Sequence, residues 1–319
     1  MSASAEQLQQ LIWGFRQSRV LLTAIELDVF SKLSDGSDAA NLARNTGTDP
    51  RAMAMLLNAL VTIGVLSKKG EQYFNTEASS QNLTGDGRMA AMHQVGLWER
   101  WSSLTDCVRA GTAVLPRKRD ELDTRAFIAA MHRNASERAR HVVRAVDARQ
   151  VHRMLDLGGG SGAYSIAFAE ANTDLHGTIL DRPDVLKITA ENLSNSGLCG
   201  RIKLKPGDML ADELPHGHDF ALLSQICHSF SAEENRQLMR RIHDALEPGG
   251  RIAIQEFLLD PDRTSPAWPV LFSLNMLVNT AGGATYSEGE ISAWLAEAGF
   301  KDIRHVPLPP STDLLIARK

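Results

Sequence analysis

The chain has 319 residues, 43% of them hydrophobic, with 34 basic and 38 acidic side chains for a formal net charge of −4. That length suits two domains and a sizeable core, and the slightly acidic balance gives no basis for nucleic-acid or membrane-surface binding. No apolar run approaches the ~20 residues of a membrane span, MSASAEQLQQ at the start lacks the marks of a signal peptide, and Cys107, Cys199 and Cys227 have no C-x-x-C spacing, so free thiols in a reducing cytoplasm are expected.

Residues 5–30 show helical periodicity, with Leu8, Leu11, Ile12, Phe15, Val20, Leu21, Ala24, Ile25 and Leu27 on recurring faces. Asp38 is placed to cap a short helix over 39–45. Gly47, Thr48 and Asp49 then turn the chain into Pro50 and a second helix over 51–63. After Gly64, extended pieces at 65–68 and 72–75 flank Lys69, Gly70 and Glu71. This is a helix-turn-helix with a β-wing, an arrangement that raises a DNA-binding regulator as one reading. The would-be recognition helix, RAMAMLLNALVTI, argues against it, because Arg51 is its only cation. DNA binding needs Lys and Arg for phosphates and polar side chains for base edges. So apolar a helix suits burial, and residues 5–63 carry more apolar surface than a small domain hides alone. A homodimer joined there is expected.

A polar turn region follows, then helices over 89–110 and 125–148 separated by a Gly/Pro/charged segment at 111–123. Trp98, Trp101, Phe127 and Met131 lie at helical spacing, which by itself more often marks packing than a substrate wall. The polar stretch 146–153 is a natural hinge. The expected division is a winged-helix domain over 1–88, linking helices over 89–150 and a second domain over 151–319.

From 151 onward strands and helices alternate. Strands are expected at 151–157, 178–181, 201–205, 219–225 and 251–257, and helices at 163–171, 184–195, 232–246 and 287–298. That pattern is a doubly wound α/β sheet, whose ligands sit beyond the C-terminal ends of the strands. The chemically capable residues all fall at those ends. Asp156 and Gly158, Gly159, Gly160 and Gly162 close the first strand, Asp181 ends the second, Asp208 follows the third, His228 follows the fourth and Glu256 ends the fifth.

The run MLDLGGGSGAY at 154–164 is a strand, a glycine turn and a helix start. Glycine tolerates positive φ there, and its missing Cβ lets a ligand approach the main chain. Gly158, Gly160 and Ala163 satisfy the dinucleotide pattern G-x-G-x-x-A, with Asp181 as the following acid. A tight turn without a ligand would look the same, so this stretch alone leaves the ligand open.

Six segments together are more specific: LDLGGGSG (155–162), ILDRPDVL (179–186), PGDML (206–210), ICHSFSAEE (226–234), LEPGGRIAIQE (246–256) and YSEGEISAWLAEAGF (286–300). In order and spacing they resemble the large dimeric small-molecule O-methyltransferases that use S-adenosylmethionine. Hydroxyindole and caffeate methyltransferases and bacterial antibiotic-tailoring enzymes are of this kind. The resemblance covers essentially the whole chain. It implies a seven-stranded, Rossmann-like methyltransferase domain behind a winged-helix dimerisation domain.

For the site, the resemblance implies that Asp181 accepts from the ribose hydroxyls of S-adenosylmethionine, that Asp208 and Met209 hold its adenine, that Gly158 and Gly160 bring main chain close to its amino-acid portion, and that Asp156 before the glycines belongs to the cofactor site. Phe230 stands where a Trp near the adenine is common, and Ser224 where a cofactor-contacting Lys is common. His228 matches the general-base histidine and Glu256 an acid that orients it, with S-adenosylhomocysteine as product. Adjacent strands lie ~4.8 Å apart, so a carboxylate on the neighbouring strand end could reach the imidazole. Thr285 occupies the place of the second catalytic acid, and Ser229 that of the acid after the histidine. An acceptor pocket between the domains is expected from Trp98, Phe127, Met131, Phe272, Asn275, Met276 and Asn279. Its apolar character suits an aromatic or polyketide-like molecule. No Asp, Glu or His grouping has metal-ligand spacing, so a metal-free reaction is expected. O-methylation is the leading expectation, with C- or N-methylation and a non-methylating reaction of a cofactor-binding relative as alternatives.

Overall fold

The computed structural model describes residues 3–116, 120–308 and 312–319. It forms two compact units, Met1–Glu99 with Arg125–Ala130, and Arg100–Thr124 with Met131–Lys319.

The first unit starts with α1 (Ala5–Glu26), whose N-terminus is closed by a reciprocal capping box between Ser4 and Gln7. The predicted helix over 5–30 stops early because Asp28 takes φ 57°, in the left-handed region. Arg88 holds that turn, with its Nε 2.8 Å from Asp28 Oδ1. Then follow α2 (Ala39–Thr46), capped by Asp38, and α3 (Pro50–Thr62), capped by Asp49 with Pro50 in its first turn. The antiparallel hairpin of β1 (Leu66–Lys69) and β2 (Gln72–Asn75) is the wing. The apolar face of α3, Met53, Leu57 and Leu60, is buried with Ile25, Phe30, Leu42 and Tyr73. Hence the would-be recognition helix serves its own core. Two further helices are α4 (Glu77–Asn82) and α5 (Gly85–Ser102).

The expected helix over 89–110 is in fact two, α5 and α6 (Leu104–Ala110). Ser103 interrupts it with φ −89° and ψ 4°, its hydroxyl donating back to Arg100 O at 2.7 Å. The long helix α7 (Glu121–Val146) leads into the sheet.

The second unit contains β3 (Arg153–Leu157), α8 (Ala163–Ala171), β4 (His176–Asp181), α9 (Pro183–Ser196), β5 (Ile202–Pro206), β6 (His218–Ser224), α10 (Ala232–Ala245), β7 (Leu246–Glu256), β8 (Leu258–Leu259), α11 (Ala267–Asn279), β9 (Tyr286–Ser287), α12 (Glu288–Glu297), β10 (Lys301–Leu308) and β11 (Thr312–Arg318). Its main sheet runs β10-β11-β7-β6-β3-β4-β5. The five strands from β7 to β5 are parallel, and β11 and β10 pair antiparallel at one side. This is the expected seven-stranded sheet. The central strands are buried apolar runs, as a sheet covered on both faces requires. Parallel register sets Leu157 beside Leu180 and Leu223, and Ser224 beside Gln255. The loops after β3 and β6 and the residues ending β4 and β7 therefore emerge at one edge.

Candidate active site

At the end of β3 the chain turns through Gly158, φ +69°, and Gly160, φ +56°. A Cβ on Gly158 would lie 2.3 Å from Ile226 Cδ1 and 3.2 Å from Met209 Cε, so glycine alone lets those chains close over the turn. Four side chains hold the loop. Gly160 N donates to Asp181 Oδ2 at 2.8 Å, and Thr189 Oγ1 donates to Gly160 O at 2.6 Å. Asn192 Nδ2 donates to Ser161 O at 2.9 Å, and His132 Nδ1 lies 2.9 Å from Ser161 Oγ.

Asp181 is largely buried, and burial raises its carboxyl above the ordinary range, opposed by hydrogen bonds from the Gly160 and Arg182 amides. Each carboxylate oxygen accepts one of those N–H groups, the second from Arg182 at 2.7 Å. One lone pair per oxygen remains, a pair of acceptors that fits a cis-diol. Asp208 closes a turn by accepting from Leu210 N at 2.8 Å. Met209, Ile226 and Phe230 are partly buried against the core of this unit. Asp181, through Gly160, and Met209, at Gly158, thus meet the same glycine turn.

Two expected cofactor residues face inward instead. Ser224 Oγ donates to Gln255 Oε1 at 2.8 Å, an oxygen that also accepts from Tyr164 Oη. Asp156 is buried beneath the turn and accepts from Ser165 Oγ at 2.6 Å. A Cβ on Gly159 would lie 2.8 Å from its carboxylate, so Asp156 supports the loop from below. Burial pushes the Asp156 carboxyl up to about 7, with the Ser165 hydrogen bond opposing and the Asp181 charge adding. Between about pH 4 and 7 the unfolded chain releases a proton that the folded chain keeps, so stability attached to this group is present at low pH and lost as pH rises. A carboxyl raised to about 7 by burial corresponds to about 4 kcal/mol at most. Urea unfolding at a series of pH values should show Asp156→Asn gaining on wild type by that order across the window. Parallel curves would contradict it.

His228 lies in the short 3-10 turn Cys227–Ser229 after β6 and is 8% exposed, with Glu256 3% exposed. Its Nδ1 is 2.8 Å from Glu256 Oε2, and its main-chain N donates to Glu256 Oε1 at 3.3 Å. A carboxylate at Nδ1 assigns the proton there and leaves Nε2 with a lone pair. The Phe272 ring meets the imidazole edge-to-face at 4.9 Å. Gly283 lies against this turn so closely that a Cβ there would be 2.3 Å from His228 O. Thr285 is 1% exposed, and its hydroxyl donates to Pro269 O at 3.0 Å. No second carboxylate is supplied from that position.

Helix α11 carries Phe272, Asn275, Met276 and Asn279. Trp101 Nε1 donates to Asn275 Oδ1 at 3.0 Å, and Asn279 Nδ2 approaches the same oxygen at 3.2 Å. Because the indole is donor-only, the facing atom is the amide oxygen, and the Asn275 NH2 points elsewhere. Met276 is buried, and Met131 is half-buried on α7 beside His132. Trp98 and Phe127 belong to the first unit, where Arg19 lies over Trp98 and His93 meets Phe127 edge-to-face. Sequence reasoning did not find Gln255, Tyr164, His132 or Gly283. Only Gly283, in the pair Gly282-Gly283, carried a local signal. Among the described residues no group of three His, Cys, Asp or Glu could hold a metal ion, and no helix is long and apolar enough to cross a membrane.

Comparison with known proteins identifies the family. Residues 105–301 match the O-methyltransferase domain family, and residues 9–85 match the O-methyltransferase dimerisation domain. A 3-hydroxy-5-methyl-1-naphthoate 3-O-methyltransferase of Streptomyces sahachiroi is 33% identical, aligned over 94% of this chain and 90% of its own. An 8-O-methyltransferase of tetracenomycin polyketide synthesis from Streptomyces glaucescens is 30% identical over 97% and 95%. Human N-acetylserotonin methyltransferase, solved in complex with S-adenosylmethionine, superposes with a TM-score of 0.87 at 29% identity, covering 100% of this chain and 99% of that one.

Proposed function

This chain belongs to the S-adenosylmethionine-dependent O-methyltransferase family, and from that premise we propose that it methylates a hydroxyl of a small aromatic or polyketide-like molecule, with His228 as general base. The observation that carries the reading is the 2.8 Å contact between His228 Nδ1 and Glu256 Oε2, which leaves Nε2 as the basic nitrogen. S-Adenosylmethionine supplies a methyl group on a sulfonium, an electrophile that already bears its leaving group. Asp181, Asp208, Met209 and the main chain at Gly158 and Gly160 would hold it.

The protein's remaining tasks are alignment and proton removal. His228 Nε2 takes the proton of the acceptor hydroxyl, the role of a positioned general base. Glu256 fixes the tautomer, and its negative charge favours the imidazolium as it forms. Phe272 offers an aromatic acceptor an apolar wall beside the base. The Asn275 amide, its oxygen taken by Trp101, has N–H groups to offer an acceptor oxygen. The deciding experiment is incubation with methyl-labelled S-adenosylmethionine and a panel of phenols. Labelled aryl methyl ethers are expected, and transfer of label only to carbon or nitrogen would overturn the choice of hydroxyl.

Two further outcomes follow from this reading. Asp181→Ala should weaken S-adenosylmethionine binding by about 2–3 kcal/mol, the scale of hydrogen bonds to a charged partner. Calorimetry would read it, and unchanged affinity would contradict the ribose assignment. The assembly proposed is a homodimer joined through the first unit. Along α1, Leu8, Leu11, Ile12, Trp13 and Phe15 are all more than half exposed, Leu11 at 75%. An apolar stripe of this extent on one helix marks an interface. Light scattering should give a dimer, and the double substitution Leu11→Glu with Ile12→Glu should give a monomer. A wild-type monomer at micromolar concentration would refute the proposal.

A further inference from the structure

Several arginines of the second unit have evident partners. Arg201 donates to the carbonyls of Ala169, Asn172 and Leu175, and Arg251 to those of Val146 and Gln150. Arg182 pairs with Asp184, and Arg263 with Glu290. Arg138 is different. It is half-buried on α7, and among the described residues no carboxylate or carbonyl is bonded to its guanidinium. Its recorded contact is aromatic, with the guanidinium carbon 5.4 Å from the Phe257 ring centroid.

That ring joins Arg138 to the base. Phe257 meets Phe272 edge-to-face at 5.1 Å, and Phe272 meets His228 at 4.9 Å. Phe257 directly follows Glu256, the last residue of β7, so this line of ring contacts puts the cation near the strand end that carries the base dyad. On α7 it lies seven residues, two helical turns, beyond Met131, and so on the same face.

We propose that Arg138 receives a carboxylate carried by the acceptor, so that the molecule methylated is a hydroxy-substituted aromatic acid. The inference rests on the acceptor reading above and narrows it. A guanidinium stays charged at any working pH, and its planar fork accepts a carboxylate through two parallel hydrogen bonds. Its contact with the Phe257 ring uses none of its N–H groups. An anionic acceptor also needs such a partner here. Glu256 brings a negative charge to the site, and an unpaired carboxylate beside it would be repelled. The aromatic body of the acceptor would lie along Phe272, with the hydroxyl toward His228 and the acid toward Arg138.

The test is calorimetric and does not depend on turnover. Binding of meta-hydroxybenzoate and of a hydroxynaphthoate, each against its methyl ester, is measured in the presence of S-adenosylhomocysteine. Wild type should bind the acids more tightly than the esters by about tenfold or more, and Arg138→Met, which keeps an aliphatic contact with Phe257, should lose about 30-fold on the acids, the scale of a charge-assisted pair. The esters should change by less than threefold, and Arg138→Lys should recover part of the loss. Acids bound no better than esters by wild type would overturn the proposal. Equal loss on acids and esters would do so too, reducing Arg138 to packing. Loss of S-adenosylmethionine affinity with acid binding intact would assign the guanidinium to the cofactor's own carboxylate. Acid binding that depends on Arg138 without any methylated product would instead count against the methyl-transfer reading and leave this one standing.

Discussion

Replacement of His228 by Gln is expected to lower turnover by about 10²–10⁴, the usual contribution of a positioned general base. Affinity for S-adenosylmethionine should hardly change, because the imidazole edge is tied to Glu256 on one side and to Phe272 on the other. Gln keeps a donor for Glu256 but offers no basic nitrogen. With a phenol as acceptor, the loss should shrink as pH rises toward the phenol's own pKa of about 10, where solution supplies the ionised nucleophile. Glu256→Gln should cost less. It removes the charge that favours imidazolium while leaving the proton acceptor in place. Product formation followed by chromatography, with cofactor binding read separately by calorimetry, distinguishes the two effects. A His228→Gln enzyme with full activity at neutral pH would leave only proximity and alignment as the source of rate. The acceptor would then be one that needs no deprotonation.

What was legible in the sequence follows from where information is local. Four of the five parallel strands contain short apolar runs bounded by turn signals, and β5, IKLKP, shows instead the alternation of an edge strand. The pairing of His228 with Glu256 was also accessible. It needs only that β6 and β7 be neighbours in parallel, and the observed register of Ser224 beside Gln255 puts Glu256 one residue further on. By contrast, α11 is apolar on nearly every side and carries Pro269 within it, so no periodic stripe announces a helix. The edge strand β10, KDIRHVPL, is mostly exposed and polar, and only its pairing with β11 identifies it. The inward turn of the Ser224 hydroxyl depends on Gln255, a partner contributed across the sheet. No spacing along the chain can show that.

The other large effect is expected from a residue that touches no reactant. Gly283 lies where the chain after α11 passes the turn bearing His228. A Cβ added there would stand 2.3 Å from His228 O, 2.7 Å from Thr280 Oγ1 and 3.0 Å from the Ser229 carbonyl carbon. Thr280 cannot simply rotate away without loss, because its hydroxyl accepts from Gly283 N and donates to Met276 O, both at 2.8 Å. The nearest obstacle is main chain, so in Gly283→Ala either the loop or the Cys227–Ser229 turn must move. Overpacking of this kind costs about 1–3 kcal/mol in stability. The kinetic cost should be greater, since about 1 Å of misplacement at a reacting group lowers a rate by about 10². Turnover should therefore fall by about that factor while S-adenosylmethionine still binds, because the glycine loop and Asp181 belong to other strand ends. Gly282→Ala provides the comparison. Its nearest neighbour would be Ser231 Cβ at 3.2 Å, a contact that a shift of a few tenths of an ångström relieves, so its loss should be smaller. Equal turnover in the two variants would show that the loop, and not the histidine turn, absorbs the added methyl group.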